Sequence, residues 1–382
     1  MLKRAFAALL IFAALPITAL AASAPPAISA KSAVLIEAAS GRVIYEYNAD
    51  EPMQIASTTK ILTALVVLEQ CSPDDAVEVK REWTGIEGSS MYLKPGEKLT
   101  VRDLLYGMLL VSGNDAAVAL ACHASGSVEA FAERMNDRAE ELGCENSSFV
   151  NPNGLDADGH LASARDLAII TAAAMRNKTF STIVSTKYAS VAGRSLKNHN
   201  KLLWNREGVL GVKTGYTKSA GRSLVSCAER DGMRFICVTL DDPDDWVDHD
   251  NLYDWAFESY RRVTIKKGEA IGVTLPVVSG TRASVRLTAG RDITFVCEKD
   301  AKYTFTPETP KFVYAAVVRG GYAGEAVLRV DGKPYARIPV FYGDTVRVSA
   351  TEPLSSWEKI KRAWYLANEY GAYRGIGYYV YY

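Results

Sequence analysis

The apolar and polar positions of this chain change period several times, and each change marks an element. SAVLIEAASGRVIYEYN, Ser32 to Asn48, alternates and turns at Ser40-Gly41, which predicts a strand hairpin. Helical spacing then dominates, over Thr58–Gln70, Val101–Leu110, Asp115–Ala124, Val128–Leu142 and Ala164–Met175. Thr100 with Asp103, and Ser163 with Asp166, stand where helix-start capping pairs belong. From Gly211 the period returns to two, in GVKTG, GRSLVSCAE and MRFICVTL, with a turn at Arg230–Gly232, and a helix is predicted near Asp248–Tyr260. Strands, then a helical block, then strands imply one antiparallel sheet with helices around it, an α+β layering rather than a doubly wound parallel sheet.

A second unit follows. Between residues 267 and 349 short alternating segments (VTLPVV, SVRLTA, ITFVCE, KFVYAAVV, EAVLRV, RIPVFY) are parted by turn signals such as Gly320-Gly321 and Asp331-Gly332. They predict a small all-β module, a sandwich. In the tail, residues 354–382, Trp357, Ile360, Trp364 and Ala367 fall at helical spacing, with Lys359, Lys361 and Arg362 to the sides. Such a stripe suits a membrane interface or a helix docked on the β module; Glu358 and Glu369 weigh against the membrane.

The chain has 382 residues, about right for two domains. Its 44 basic and 44 acidic residues cancel, which argues against a general nucleic-acid binder. Lys3 and Arg4, an apolar stretch to Leu20 and the small-x-small Ala19-Leu20-Ala21 predict a signal peptide over residues 1–21 and hence export. The alternative, an uncleaved anchor, needs about 20 unbroken apolar residues, and Pro16 interrupts the run. No cofactor is indicated: the four histidines are scattered and no Cys-x-x-Cys pair occurs, which argues against a metal enzyme. An exported chain could oxidise its six cysteines (71, 122, 144, 227, 237 and 297), but Cys122 in ALACHA and Cys144 after Leu142-Gly143 read as small core residues. A two-residue turn would pair 230 with 233, set Cys227 opposite Ile236 and leave Cys237 on the other face.

Candidate chemistry begins at IASTTKILTAL, where Ser57 is followed three residues on by Lys60. In isolation Ser57 reads as a helix cap and Lys60 as a surface lysine; the same spacing recurs without consequence at Ser356 and Lys359. Two further strings shift that balance: Ser112-Gly113-Asn114 between two helical patterns, and Lys213-Thr214-Gly215 on a predicted strand, each occurring once. A serine at a helix start sits at the positive end of the dipole. A lysine one turn on can take its proton if burial and a second cation, Lys213, keep the amine neutral. Ser112 offers a proton relay, and Asn114 an amide to orient Lys60 and bind a substrate carbonyl. Lys213 and Thr214 offer a carboxylate clamp, and Gly215 room for a substrate backbone. The N–H groups of Ser57 and Tyr216 are the natural oxyanion donors; losing one such donor costs about 10²–10³ in rate.

The three motifs in this order resemble the penicillin-binding proteins and serine β-lactamases. GSSMYLKPGE, SGNDAAVAL, FAERMNDRAEELG, NPNGLDADGHLASARDLA and GVKTGYT are similar to the low-molecular-mass serine D-alanyl-D-alanine carboxypeptidases, from about Ala33 to Leu240 and more weakly to about Ser349. The resemblance implies a catalytic domain over 30–262 with the penicillin-binding/serine β-lactamase-like transpeptidase fold. It implies Ser57 as nucleophile and Lys60 as base, with Ser112 beside them. Asn114, Lys213, Thr214, Gly215 and Tyr216 would be the substrate-binding set. It implies a peptidoglycan stem peptide ending in D-Ala-D-Ala as substrate and β-lactams as covalent inhibitors. It further implies residence at the outer face of the cytoplasmic membrane or in the cell-wall space or periplasm, with the tail as a peripheral anchor. His160, in the loop bordering the site, is expected to tether that loop. Two rivals are a class A-like β-lactamase and a penicillin-binding sensor without turnover; an endopeptidase is a nearer neighbour. The first needs a Glu-x-x-x-Asn between the second and third motifs, and none stands between Asn114 and Lys213.

Overall fold

The structure is a computed structural model that describes residues 24–349 and 355–368. The expected signal peptide, residues 1–21, lies outside the described residues, as does Glu369. Strands β1 (Ser32–Glu37) and β2 (Val43–Tyr47) form the first hairpin. Helix α1 (Lys60–Gln70) follows, then the short strands β3 (Ala76–Glu78) and β4 (Lys98–Thr100). The helical block is α2 (Val101–Leu110), α3 (Asn114–Ser125), α4 (Val128–Glu141), α5 (Ala164–Arg176) and α6 (Lys178–Ser185). A small hairpin, β5 (Tyr188–Val191) and β6 (Arg194–Lys197), and a turn of helix, α7 (Leu202–Asn205), precede β7 (Val209–Thr217), β8 (Gly221–Arg230), β9 (Met233–Leu240) and α8 (Asp245–Ser259).

The main sheet runs β2-β1-β9-β8-β7, every pair antiparallel. It is covered on both faces. Val34 and Ile36 of β1 join the core of the helical block, whereas Leu35 faces the cluster built by Leu252, Tyr253 and Phe257 of α8. That is why all six residues of β1 are buried and Ala33–Ile36 is an unbroken apolar run instead of alternating. His249 of α8 is sequestered between the Ser226 hydroxyl (2.6 Å) and that of Thr239 (3.0 Å), tying helix to sheet. Burial pushes its pKa down to about 3, so the ring is neutral.

Local readings hold with instructive differences. The β8–β9 turn is two residues long, Arg230 pairs with Met233, and Cys227 lies opposite Ile236. Asp231 and Gly232 both take the left-handed conformation such a turn requires. All six cysteines are free thiols. Thr100 and Asp103 form a complete capping box. Ser163 accepts from the Asp166 N–H, but the Asp166 carboxylate turns instead to the Asn146 N–H (2.8 Å) and the Ser147 hydroxyl (2.7 Å), spending the second half of the box on a loop. The helix expected from Asp248 begins at Asp245, because Asp245 and Asp248 occupy its first turn.

The second unit is all-β. Strands β10 (Tyr260–Ile265), β11 (Ala270–Val278), β12 (Ser284–Ala289), β13 (Ile293–Glu298), β14 (Tyr303–Glu308), β15 (Val313–Tyr314), β16 (Tyr322–Val330) and β17 (Lys333–Tyr342) follow in order. They make a six-stranded sheet, β14-β16-β17-β12-β11-β15, and a β10–β13 pair, which share one core through Phe295, Leu287 and Ile338. KFVYAAVV, read as a full strand, contributes only Val313–Tyr314. The tail forms helix α9 (Ser356–Asn368), on which Trp357, Ile360 and Trp364 stand exposed.

Candidate active site

The segment around Ser57 is not yet α-helix. Ala56–Thr59 form a 3₁₀ turn ahead of α1. Ala56 has a φ of 46°, and the Thr58 and Thr59 hydroxyls donate back to the carbonyls of Ile55 (2.6 Å) and Ala56 (2.8 Å). The tight turn leaves Ser57 half-exposed and sends the side chain of Lys60 inward, where it is fully buried.

Three oxygens surround the Lys60 amine: Ser57 Oγ at 2.8 Å, Asn114 Oδ1 at 2.7 Å and the Asn153 carbonyl at 2.5 Å. Their chemistry differs. The amide and main-chain carbonyls only accept, so they claim two N–H bonds. A neutral amine has two N–H bonds and one lone pair, and the lone pair is left for the Ser57 hydroxyl. The surroundings favour that neutral form. Burial first, and the charge of Lys213 second, hold the Lys60 pKa well below its ordinary value, while Asp115 opposes them. Lys213 is buried too and is pushed down to about 7 by that burial.

Asn114 opens α3, and its side chain bridges two elements: Oδ1 accepts from Lys60 and Nδ2 donates to the Glu87 carbonyl at 2.6 Å. Next to it Asp115, with no exposed surface, collects the N–H groups of Met91 (2.8 Å) and Leu93 (3.0 Å) and the Ser90 hydroxyl (2.7 Å). Two consecutive side chains thus moor the 87–93 loop to the helix start. Ser112, just before, adopts a φ of 63°. This left-handed placement, uncommon for serine, sets it in the wall of the cleft.

The 151–160 loop closes the other side. The Asn153 carbonyl reaches Lys60, the Thr63 hydroxyl donates to the Pro152 carbonyl at 2.7 Å, and the Thr217 hydroxyl donates to Asp156 at 2.9 Å. A side chain at Gly154 would meet the Ala56 carbonyl at 1.9 Å, so only glycine lets this loop lie against the Ser57 turn. His160 accepts the Val150 N–H on Nδ1, which leaves Nε2–H to donate to the Thr59 hydroxyl at 2.8 Å. Burial lowers its pKa to about 4.

Strand β7 is the outer strand of its sheet and runs past Ser57. A Cβ on Gly215 would lie 2.9 Å from the Ile55 carbonyl and 3.2 Å from the Ser57 nitrogen. The room that glycine leaves is therefore taken by the turn that carries Ser57. Ser57, Ser112, Thr214, Gly215 and Tyr216 line a cavity of about 340 Å³ whose far end is Lys201, Arg222 and Trp246. Lys60, Asn114 and Lys213 are buried, and Lys213 donates to the Thr214 carbonyl at 2.8 Å. Arg222 was missed in the sequence. It sits directly opposite Tyr216 across β7–β8, is braced by the Asp245 carboxylate (2.7 Å) and packs on Trp246.

Known proteins are similar to this chain in sequence and fold. A profile of the peptidase S11 family, described as D-alanyl-D-alanine carboxypeptidase, matches residues 18–244. The chain belongs to the D-alanyl-D-alanine carboxypeptidase family. It is 32% identical over 353 residues to the D-alanyl-D-alanine carboxypeptidase DacF of Bacillus subtilis, covering 87% of this chain and 91% of that one. DacC of Escherichia coli is 34% identical over 347 residues, covering 84% of this chain and 85% of DacC. Among solved structures, penicillin-binding protein 5 of Haemophilus influenzae superposes with a TM-score of 0.68 at 32% identity, over 85% of this chain and 99% of that one. Those alignments extend beyond the catalytic unit, so the all-β unit is part of what this D-alanyl-D-alanine carboxypeptidase shares with its relatives.

Proposed function

We propose that this D-alanyl-D-alanine carboxypeptidase works through an acyl-enzyme on Ser57, with Lys60 as its base. The Ser57 oxygen attacks the carbonyl of the penultimate D-alanine of a stem peptide while its proton passes to Lys60. The N–H groups of Ser57 and Tyr216 receive the oxyanion. The bond to the last residue breaks, its nitrogen takes a proton through Ser112, and D-alanine leaves. Water then attacks the ester, giving its proton to Lys60, and the shortened peptide is released with the Ser57 hydroxyl restored. Penicillin acylates the same oxygen. The observation that carries this reading is the Lys60 amine, whose two acceptor-only partners leave its lone pair for Ser57. D-Alanine release from diacetyl-Lys-D-Ala-D-Ala tests it; rapid turnover of nitrocefin would favour the β-lactamase reading instead.

The terminal carboxylate is assigned to Lys213 and Thr214, with Arg222 and Lys201 supplying further positive charge along the same cleft. Arg222→Ala is expected to raise KM for the peptide about 10–100-fold, the equivalent of one charged hydrogen bond, with a smaller change in kcat. Arg222→Lys should recover part of the loss, and a C-terminally amidated peptide should not distinguish the variants. Equal loss on both peptides would assign Arg222 to structure alone.

The exposed stripe of Trp357, Ile360 and Trp364, with Lys359 and Lys361 alongside, supports peripheral binding at the outer face of the cytoplasmic membrane. Among the described residues no helix is long and apolar enough to cross a bilayer. Co-sedimentation with anionic vesicles should be lost when the three apolar residues are replaced by serine; retention would refute the assignment.

A further inference from the structure

The helices that deliver Lys60 and Asn114 meet again at their far ends. Cys71 caps the C-terminus of α1, and His123 lies in the last turn of α3. Asp75, in the turn before β3, completes a group whose Sγ, ring nitrogen and carboxylate oxygen all lie within 4.8 Å of one another. Asp75 is held in place by the Ser72 N–H, which donates to Oδ2 at 2.8 Å, and by a turn in which its own N–H reaches the Ser72 carbonyl at 3.1 Å. Cys71 and His123 are half-buried and Asp75 is open to solvent, so the group is sheltered yet reachable by an ion.

The donor set is specific. A thiolate, an imidazole and a carboxylate together suit a borderline-soft divalent ion, whereas magnesium and calcium prefer oxygen alone. Three protein ligands leave one tetrahedral position for water. The wide sequence separation, from residue 75 to residue 123, hides the group from any spacing rule.

We propose that Cys71, Asp75 and His123 bind a zinc-class divalent ion that clamps the C-terminal ends of α1 and α3. The N-terminal ends of the same helices are already joined by the Lys60–Asn114 bond at 2.7 Å. An ion at the opposite ends fixes the pair at both ends, so its role is to stabilise the helix pair and not to take part in the reaction. Binding releases the thiol proton to solvent and forms a sulfur–metal bond.

The test uses the full chain, reduced and stripped with a chelator. Titration with cobalt(II) should give a thiolate-to-cobalt charge-transfer absorption that saturates at one equivalent, and zinc should displace the cobalt and raise the unfolding temperature. Cys71→Ser should abolish the absorption, while Cys122→Ser, on the same helix as His123, should leave it. His123→Ala and Asp75→Asn should each weaken zinc binding by about 10-fold or more, with penicillin labelling intact in all variants as proof of folding. No charge-transfer absorption, or one that survives in Cys71→Ser, would overturn the assignment.

Discussion

Replacing Ser57 by alanine is expected to abolish penicillin labelling and to lower D-alanine release by about 10⁴-fold or more, the scale on which removing a nucleophile acts in serine hydrolases. The fold should survive. Ser57 is half-exposed, and among the described residues its side chain is hydrogen-bonded to Lys60 alone, which keeps the Asn114 and Asn153 oxygens when the hydroxyl is gone. The mass of the protein after incubation with penicillin reads the first outcome, and thermal unfolding the second. A covalent adduct retained in Ser57→Ala would refute the nucleophile assignment.

Lys60→Ala should slow acylation by about 10²–10⁴-fold, the usual weight of a general base. It should also change the pH profile. Because the folded pKa of Lys60 lies well below 10.5, the neutral amine accumulates as pH rises through that lowered value, and wild-type acylation should rise with it and then level off. The variant should lose this limb; a profile of unchanged shape would point to another base. Stability follows the same proton count. From about pH 7, the folded value of Lys213, up to its ordinary 10.5, the unfolded chain binds a proton that the native chain does not, so stability should increase with pH across that window. Lys213→Met should flatten that slope in denaturant titrations taken at successive pH values.

Most side chains of the candidate site were legible in the sequence. Ser57, Lys60, Ser112, Asn114 and the Lys213-Thr214-Gly215 strand declare themselves by residue type and order, and the structure gathers them around one cleft. The position of Cys227 opposite Ile236 followed from the length of one turn. What stayed hidden has a common cause. The Asn153 oxygen is main chain, and a carbonyl that any residue supplies leaves no trace in composition. Arg222 joins the cleft through strand register and the placement of α8, both set by long-range packing. The contacts of Lys213 with the Thr214 carbonyl and of Gly215 with the Ser57 turn are set by how the strand packs, which residue type alone does not reveal. His160 was expected to tether its loop, and its bond to Thr59 fastens that loop to the Ser57 turn.

The outer position of β7 carries a hazard as well as a use. An unpaired strand edge can pair with the edge of any other sheet, and proteins commonly blunt such edges to stay soluble. Here the 3₁₀ turn bearing Ser57 lies against Gly215, and the 151–160 loop is tied to the end of the strand through Thr217 and Asp156. A second sheet would find the approach obstructed. If the proposed substrate binds along this edge, the packing that sets Ser57 beside it would also guard against self-association, and a variant that loosened the loop would be expected to aggregate as well as to lose activity.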